Sequence, residues 1–200
     1  MNGVPPPPLD EVTGAILAGG QGSRVGGLDK GMMPVLDEPL VAQVVRRLGL
    51  QVGRIVICAN RHAAEYAEFG EVVADRIGGF RGPLAGIDAA LLACRSPWLL
   101  TVPVDCPSPP VDLVARLHAA AEASGARGAT VRTRDRREPL FALYRVAAVG
   151  SLDDALQRDL PVWRWQDEIG VVEVEYDGSS TDFDNLNTRD DFRRWEKLRG

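Results

Sequence analysis

A glycine-rich loop that carries two basic side chains follows the first apolar segment of the chain. Gly19, Gly20 and Gly22 begin this loop, and Arg24 and Lys30 lie further along it. Successive glycines allow backbone N–H groups to turn toward one point, so such a loop can hold an anion. The arginine and the lysine would add full positive charges. The loop therefore predicts a site for nucleotide phosphates, although its glycine content alone is equally typical of an ordinary flexible loop.

The loop does not match either of the two most familiar phosphate-binding patterns. The dinucleotide fingerprint needs a glycine where Val25 stands. The Walker-type loop needs Ser or Thr after its lysine, whereas Lys30 lies between Asp29 and Gly31. Of the 23 Lys and Arg residues only Lys30 and Lys197 are lysine, so the loop holds one of two compact ammonium groups in the chain. The loop belongs to a third kind.

Apolar segments and amphipathic segments alternate through the first half of the chain. Strands are predicted at residues 14–18, 54–58, 71–74 and 98–104, separated by helical patterns such as that of residues 40–48. This alternation is typical of an α/β fold whose mostly parallel sheet is covered by helices on both faces. Further predicted elements are a helix opened by Pro109 and Pro110, strands at 129–132 and 139–144, a helix over 146–157, a strand over 171–176 and a final helix over 189–198.

Polar residues follow the predicted strands at the point where each strand ends. Asn60 follows the second strand, Asp75 the third and Asp105 the fourth. Ligands of such folds bind beyond the carboxyl ends of the strands, so these side chains are expected to meet in one crevice. Asn60 could contact a base or ribose, or instead satisfy the first turn of the next helix. Asp75 could accept from a ribose or a base, or instead pair with Arg76 or Arg81.

Asp105 is the best candidate for a metal ligand. Mg²⁺ is usually held by one or two carboxylates together with substrate phosphates and water. The alternative for Asp105 is a turn or capping role, which the other strand-end residues make less favourable. Late in the chain Asn185 and Asn187 could bind a second substrate, or simply serve a turn. The thiol of Cys106 is interpreted as buried rather than nucleophilic, since no histidine is evidently partnered with it.

Length, charge and cysteine content restrict the class of protein. The 200 residues are sufficient for one domain, and residues 1–12, which contain Pro5 to Pro8, are predicted to be a disordered tail before a single domain over 13–200. The net charge of −5 disfavours a nucleic-acid surface. No apolar run approaches the ~20 residues of a membrane span. The absence of a signal-like start and the odd cysteine number favour the cytoplasm.

With these residues assembled, the chain resembles the molybdenum cofactor guanylyltransferase family, within the nucleotide-diphospho-sugar transferase-like nucleotidyltransferases. The resemblance runs from about Thr13 to the C-terminal helix. Its motifs are Leu17-Ala18-Gly19-Gly20 with Arg24 and Asp29-Lys30-Gly31, Ala59-Asn60-Arg61-His62, Gly82-Pro83-Leu84-Ala85-Gly86 and Phe183-Asp184-Asn185-Leu186-Asn187-Thr188. Val25 departs from a common methionine, and Arg189 from a frequent proline. The resemblance implies a Rossmann-like, three-layer α/β/α domain.

The resemblance also implies a reaction and a set of site residues. The expected reaction transfers GMP from GTP to the terminal phosphate of molybdenum-molybdopterin and releases pyrophosphate, with Mg²⁺ as cofactor. Arg24, Lys30 and Asp105 are the expected catalytic residues, Asn185 and Asn187 the expected molybdopterin contacts, and Asp105 the metal ligand. The expected GTP contacts are Leu17, Ala18, Gly19, Gly20, Gly22, Lys30, Asn60, Asp75 and Asp105.

Three alternatives to this function remain open at this point. A cytidylyltransferase would use CTP on the same pterin, a sugar-phosphate nucleotidyltransferase would use another acceptor, and a non-catalytic relative would only bind the nucleotide. The expected partners beyond the two substrates are cofactor-biosynthesis proteins and recipient molybdoenzymes, in transient contact.

Overall fold

A mostly parallel sheet organises the protein. The computed structural model describes residues 4–19, 29–77, 82–176 and 180–199. Within them a seven-stranded sheet has the order β5-β4-β1-β6-β8-β7-β9, and β8 alone runs antiparallel to its neighbours. Its strands are β1 (Val12–Leu17), β4 (Arg54–Cys58), β5 (Glu71–Val73), β6 (Trp98–Pro103), β7 (Gly128–Arg132), β8 (Arg137–Arg145) and β9 (Val172–Glu175). A small hairpin pairs β2 (Pro34–Val35) with β3 (Glu38–Pro39).

Helices cover both faces of this sheet. They are α1 (Leu40–Leu48), α2 (Ala63–Tyr66), α3 (Pro83–Ala93), α4 (Leu113–Ser124), α5 (Val146–Val149), α6 (Asp153–Gln157), α7 (Val162–Glu168) and α8 (Arg189–Arg199). Because successive strand residues point to opposite faces, Ile16 packs with α1 and α4, whereas Ala15 packs with α3. The α/β/α architecture expected from the sequence is confirmed.

The start of the sheet corrects the predicted end of the tail. Val12 is the first residue of β1 and is 1% exposed, so it belongs to the core rather than to the tail. Burial of its apolar side chain is favourable because it removes apolar surface from water. Residues Leu9–Glu11 form a 3-10 turn that packs closely against Gly53, because a Cβ built on Gly53 would lie only 2.7 Å from Leu9 O. The remaining division into a disordered tail and a single domain stays a prediction.

Two predicted helices have different bounds in the structure. The helix expected at Pro109 and Pro110 begins only at Leu113, because Gln51 accepts from Val114 N at 3.1 Å and donates to Pro110 O at 2.8 Å. The helix expected over 146–157 is two short helices, separated where Gly150 adopts φ 75°, a value that a helix cannot contain.

The strand ends converge as the sequence predicts. The carboxyl ends of β1, β4, β5 and β6 lie at one edge of the sheet, since these strands are parallel neighbours. The antiparallel β8 begins at this same edge, because Thr101 of β6 pairs with Ala142 and Trp98 with Arg145. Across the described ranges, no helix has the length and apolar character needed to cross a membrane.

Candidate active site

Lys30, Asp105 and Asn187 meet at the centre of the strand-end edge. Lys30 Nζ donates to Asp105 Oδ2 at 3.1 Å and to Asn187 Oδ1 at 2.5 Å. The side chains of Lys30 and Asp105 are 19% and 18% exposed, so the ion pair is accessible from one side only. An ammonium, a carboxylate and an amide from three distant parts of the chain therefore share one point, where an anionic ligand could enter.

The backbone next to β6 holds the loop of residues 183–188, called the late loop below, against Asp105. Leu186 N donates to Asp105 O at 2.8 Å, and the Leu186 side chain is buried in a cluster with Val35, Leu40 and Phe192. The Phe183 ring packs edge-on against the rings of Phe141 and Tyr176, with ring centroids 5.0 Å and 5.1 Å apart. These contacts place Asn187 on Lys30. The Oδ1 atom of Asn185 is buried and has no hydrogen-bond partner among the described residues.

A 3-10 turn, Lys30–Met32, presents Lys30. Asp29 precedes this turn, and its Oδ1 accepts from Gly31 N at 3.0 Å. The same oxygen accepts from Tyr66 Oη at 2.5 Å. Neither Asp29 nor Tyr66 was among the predicted site residues. Asp29 could have been suspected because it adjoins Lys30, whereas nothing local in the sequence marks Tyr66.

Asn60 and Asp75 form a reciprocal pair at the other end of the edge. Asn60 Nδ2 donates to Asp75 Oδ2 at 2.7 Å, and Asp75 N donates to Asn60 Oδ1 at 2.9 Å. The alternative pairing of Asp75 with Arg76 is wrong, because Arg76 binds Asp88 and Asp153 instead. Asn60 also makes no helix cap, since His62 holds that position at α2.

The end of β1 lies between these two groups. Ala18 N donates to Cys58 O at 2.9 Å, and Leu17 O accepts from Val104 N at 3.1 Å. A Cβ built on Gly19 would lie 3.6 Å from Asn60 Nδ2. Leu17, Ala18 and Gly19 are therefore brought to the predicted crevice. The other predicted loop residues, Gly20, Gly22 and Arg24, lie outside the described residues, as does Arg81.

Cys106 is not built as a nucleophile. Its thiol is 1% exposed and donates to Asp182 O at 3.2 Å. Burial raises the pKa of the Cys106 thiol far above its usual range, so the thiolate is not available. The interpretation of Cys106 as a buried thiol agrees with this geometry.

The arginines of the β7–β8 hairpin have acidic partners. Arg132 pairs with Glu173 at 2.8 Å, Arg136 with Glu138 at 2.5 Å and Arg137 with Asp167 at 2.5 Å. Their charges are thus largely compensated within the protein. The pairing of these three arginines leaves little uncompensated positive charge for binding a phosphate.

The donor set near Asp105 fits a metal that takes most of its ligands from a substrate. Within the described part of the chain, no group of three or more His, Cys, Asp or Glu side chains could hold a metal ion. Asp105 supplies one carboxylate, whose side chain is 18% exposed. Hard oxygen donors of this kind suit Mg²⁺ or Mn²⁺, with phosphates and water completing the shell.

The fold and the strand-end site define a nucleotidyltransferase of the α/β class, and comparison with known proteins agrees. The family model of the MobA-like NTP transferase domain matches residues 14–170. The molybdenum cofactor guanylyltransferase of Cupriavidus taiwanensis is 43% identical over 94% of this chain and 97% of that protein. This chain belongs to the molybdenum cofactor guanylyltransferase family.

Solved structures share the fold. The molybdopterin-guanine dinucleotide biosynthesis protein A of Archaeoglobus fulgidus has a TM-score of 0.74 and 24% identity, over 93% of this chain and 97% of that one. Rv0371c from Mycobacterium tuberculosis, in a complex with manganese, has a TM-score of 0.62 and 16% identity, over 94% and 98% of the two chains. At these identities the likeness concerns the architecture of the sheet and its helices.

Proposed function

We propose that this protein transfers GMP from GTP to the terminal phosphate of molybdenum-molybdopterin, with release of pyrophosphate. The observation that carries the proposal is the meeting of Lys30, Asp105 and Asn187, which joins the glycine-rich loop, the end of β6 and the late loop. It is supported by the name of the relative that is 43% identical over nearly the whole chain. No feature of the described site favours the cytidylyltransferase, the sugar-phosphate enzyme or the non-catalytic alternative.

The proposed chemistry is a direct in-line displacement. The terminal phosphate of molybdopterin attacks the α-phosphorus of GTP, the bond to the β-phosphate oxygen breaks, and pyrophosphate leaves. The attacking phosphate is already anionic at neutral pH, so the step needs no strong general base. Positioning and neutralisation of negative charge carry the catalysis, and the Lys30 ammonium is the described group best placed for this. Arg24 is proposed as a second cation in the same loop.

The proposed GTP site extends along the ends of four parallel strands. Leu17, Ala18 and Gly19 lie at the end of β1, Asn60 follows the adjacent strand β4, and Asp75 follows β5 beyond it. A nucleotide can therefore extend from a base near Asn60 and Asp75 to phosphates near Lys30. Gly20 and Gly22 are proposed to contribute backbone N–H groups. The reciprocal bonds of Asn60 and Asp75 hold both polar groups in fixed orientation.

We propose Mg²⁺ as the cofactor and Asp105 as its protein ligand. A bound Mg²⁺ would neutralise developing charge on the phosphates. The carboxylate of Asp105 is accessible at 18% and faces Lys30 Nζ, so cation binding and phosphate entry would rearrange this ion pair. The manganese complex of the structural neighbour Rv0371c is compatible with a divalent cation on this fold.

The second substrate is proposed to bind at the late loop. Asn187 accepts a hydrogen bond from Lys30, and the Oδ1 atom of Asn185 has no hydrogen-bond donor among the described residues. A pterin ring offers N–H donors, so molybdopterin could satisfy this atom. Transient contacts with cofactor-biosynthesis proteins and recipient molybdoenzymes follow from the same proposal. The cytoplasmic location stays a prediction.

The test is pyrophosphate release from each of the four nucleoside triphosphates, with Mg²⁺ and molybdopterin present. Release with GTP alone supports the proposed reaction. Release with CTP would keep the mechanism and change the product. If no nucleotide supports release, the proposed transfer is wrong, and titration with GTP then separates a binding protein from an enzyme with another substrate.

A further inference from the structure

Tyr66 reaches from the hydrophobic core to the turn that presents Lys30. Its side chain is 0% exposed and lies in the same core cluster as Ala59 and Val104. Its hydroxyl donates to Asp29 Oδ1 at 2.5 Å, at the active-site edge. A residue that neither the reaction nor the family resemblance invokes therefore contacts the neighbour of Lys30.

The turn lies directly on this hydroxyl. A Cβ built on Gly31 would stand 2.2 Å from Tyr66 Oη and 3.0 Å from Val104 Cγ2, so no larger residue fits there. Asp29 Oδ1 accepts from Tyr66 and from Gly31 N together, which fixes the backbone on both sides of Lys30. The turn is thus held by a rigid aromatic ring rather than by solvent-exposed contacts.

Tyr66 also links the Asn60 end of the site to the Lys30 end. It is the last residue of α2, and its N–H donates to His62 O at 3.0 Å. This helix follows the segment of Asn60 and begins after His62, which adopts φ 54°. The position of Asn60 at the end of β4 and the position of Lys30 are therefore connected through one short helix and one hydroxyl.

The protonation state of the pair favours a fixed direction of donation. Burial, and then the adjacent Asp29 carboxylate, raise the pKa of Tyr66 well above its usual range. The phenol stays protonated, and it donates to an oxygen that can only accept when the carboxyl is ionised.

We infer that Tyr66 is a positioning residue, which acts through Asp29 to hold the Lys30 ammonium at the point where it meets Asp105 and Asn187. The turnover part of its test rests on the proposed function, whereas the placement of Lys30 does not.

The first measurement observes Lys30 directly. The chain has two lysines, Lys30 and Lys197, so ¹⁵N-lysine labelling yields two ammonium signals, which Lys197→Arg assigns. Tyr66→Phe keeps the ring and removes the donor, and we expect it to shift or broaden the Lys30 signal only. The matched control is Tyr144→Phe, because Tyr144 is equally buried and its Oη accepts from Gln166 Nε2 at 2.7 Å. A Lys30 signal that is unchanged in Tyr66→Phe overturns the inference.

The second measurement is a double-mutant cycle on turnover. We expect Tyr66→Phe to lower kcat about tenfold with a smaller change in the KM for GTP, since misplacing a charge costs more in the transition state than in binding. In a Lys30→Gln background the same substitution should have no further effect. A merely structural role predicts equal losses in both backgrounds, and that result would overturn the inference.

A second variant keeps the test independent of folding. If Tyr66→Phe does not fold, Asp29→Ala is used instead, because Asp29 is only partly buried and its carboxylate is the acceptor that Tyr66 and Gly31 share. This variant must shift the Lys30 ammonium signal. If the wild-type protein transfers no GMP, the proposed function fails, while the ammonium spectra still decide whether Tyr66 places Lys30.

Discussion

Asn60 and Asp75 close two neighbouring parallel strands and exchange two hydrogen bonds across them. Asn60 Nδ2 lies 2.7 Å from Asp75 Oδ2, and Asp75 N lies 2.9 Å from Asn60 Oδ1. The Asn60 side chain thereby binds both a carboxylate oxygen and the backbone N–H of Asp75, while both residues remain at the surface of the crevice. A nucleotide that binds here meets a polar pair whose orientation is already set, which reduces the entropy lost on binding.

Removal of the amide should weaken nucleotide binding without unfolding the protein. We expect Asn60→Ala to raise the Kd for GTP about tenfold, because Asp75 loses both partners, while exposed sites usually change stability by no more than about 0.5 kcal/mol. Titration calorimetry measures the affinity. Gln157→Ala, at an exposed amide on α6, is the control. Equal affinities of the two variants would contradict a role of Asn60 in the nucleotide site.

Loss of the strand-end carboxylate should abolish turnover. Asp105→Ala removes the proposed metal ligand and, among the residues that the structure describes, leaves Lys30 Nζ only its bond to Asn187, so we expect pyrophosphate release to fall by at least about 100-fold. Circular dichroism should show the wild-type fold. Asp154→Ala, at a side chain 78% exposed on α6, should keep normal turnover. Near-normal release by Asp105→Ala in Mg²⁺ would remove Asp105 from the site.

The two lysines should differ sharply in their effect on turnover. We expect Lys30→Ala to lower kcat about 100-fold, since a charge that stabilises the transition state is lost, and Lys197→Ala to have no effect. Lys30→Arg should restore little, because a forked guanidinium does not fit two oxygens that a compact ammonium bridges. Steady-state kinetics measure all three variants. Full activity of Lys30→Arg would show that charge alone is sufficient.

Phe183 should couple stability to the second substrate. It is 1% exposed between Phe141 and Tyr176, so Phe183→Ala should lower the free energy of unfolding by about 3 kcal/mol. Because the same loop carries Asn185 and Asn187, the KM for molybdopterin should rise more than that for GTP. Urea denaturation and kinetics measure these effects. Trp163→Ala, at a ring 48% exposed, is the control. A variant of normal stability would contradict the packing described.

His118 should make the protein less stable in mild acid. Burial lowers the pKa of His118 from its usual 6.5, with Arg145 acting in the same direction and Glu122 and Glu11 opposing it. The unfolded state therefore binds more protons, and stability is lost as pH falls through the unfolded pKa. Between about pH 7.5 and 5.5 we expect His118→Gln to lose less unfolding free energy than the wild type.

The other histidine provides the control for this pH effect. His62 is exposed, with its side chain 44% accessible, so His62→Gln is the matched control. Urea titrations at each pH measure the free energies. If His118→Gln and His62→Gln behave alike, His118 is not the group responsible.

Much of the architecture could be predicted because its signals are local. The alternation of apolar strands and amphipathic helices indicated the sheet, and polar residues at strand ends indicated the edge where a ligand binds. Bounds that depend on distant partners could not be predicted in this way. The start of α4 is one case, since Gln51 on another part of the chain satisfies Val114 N. The extent of the buried core is another, since Val12 joins β1 beside Trp98.

By itself, the sequence determined the fold class, the family, and most of the polar residues at the crevice, because these follow from residue types and from spacing along the chain. Tertiary structure decided which of them touch. Lys30 is hydrogen-bonded to Asn187, 157 positions away in the sequence, and Tyr66 is hydrogen-bonded to Asp29, 37 positions away. Contacts of this kind depend on how the turn, α2 and the late loop pack against β6. No local periodicity encodes that packing, because the apolar contacts that drive it carry no direction of their own.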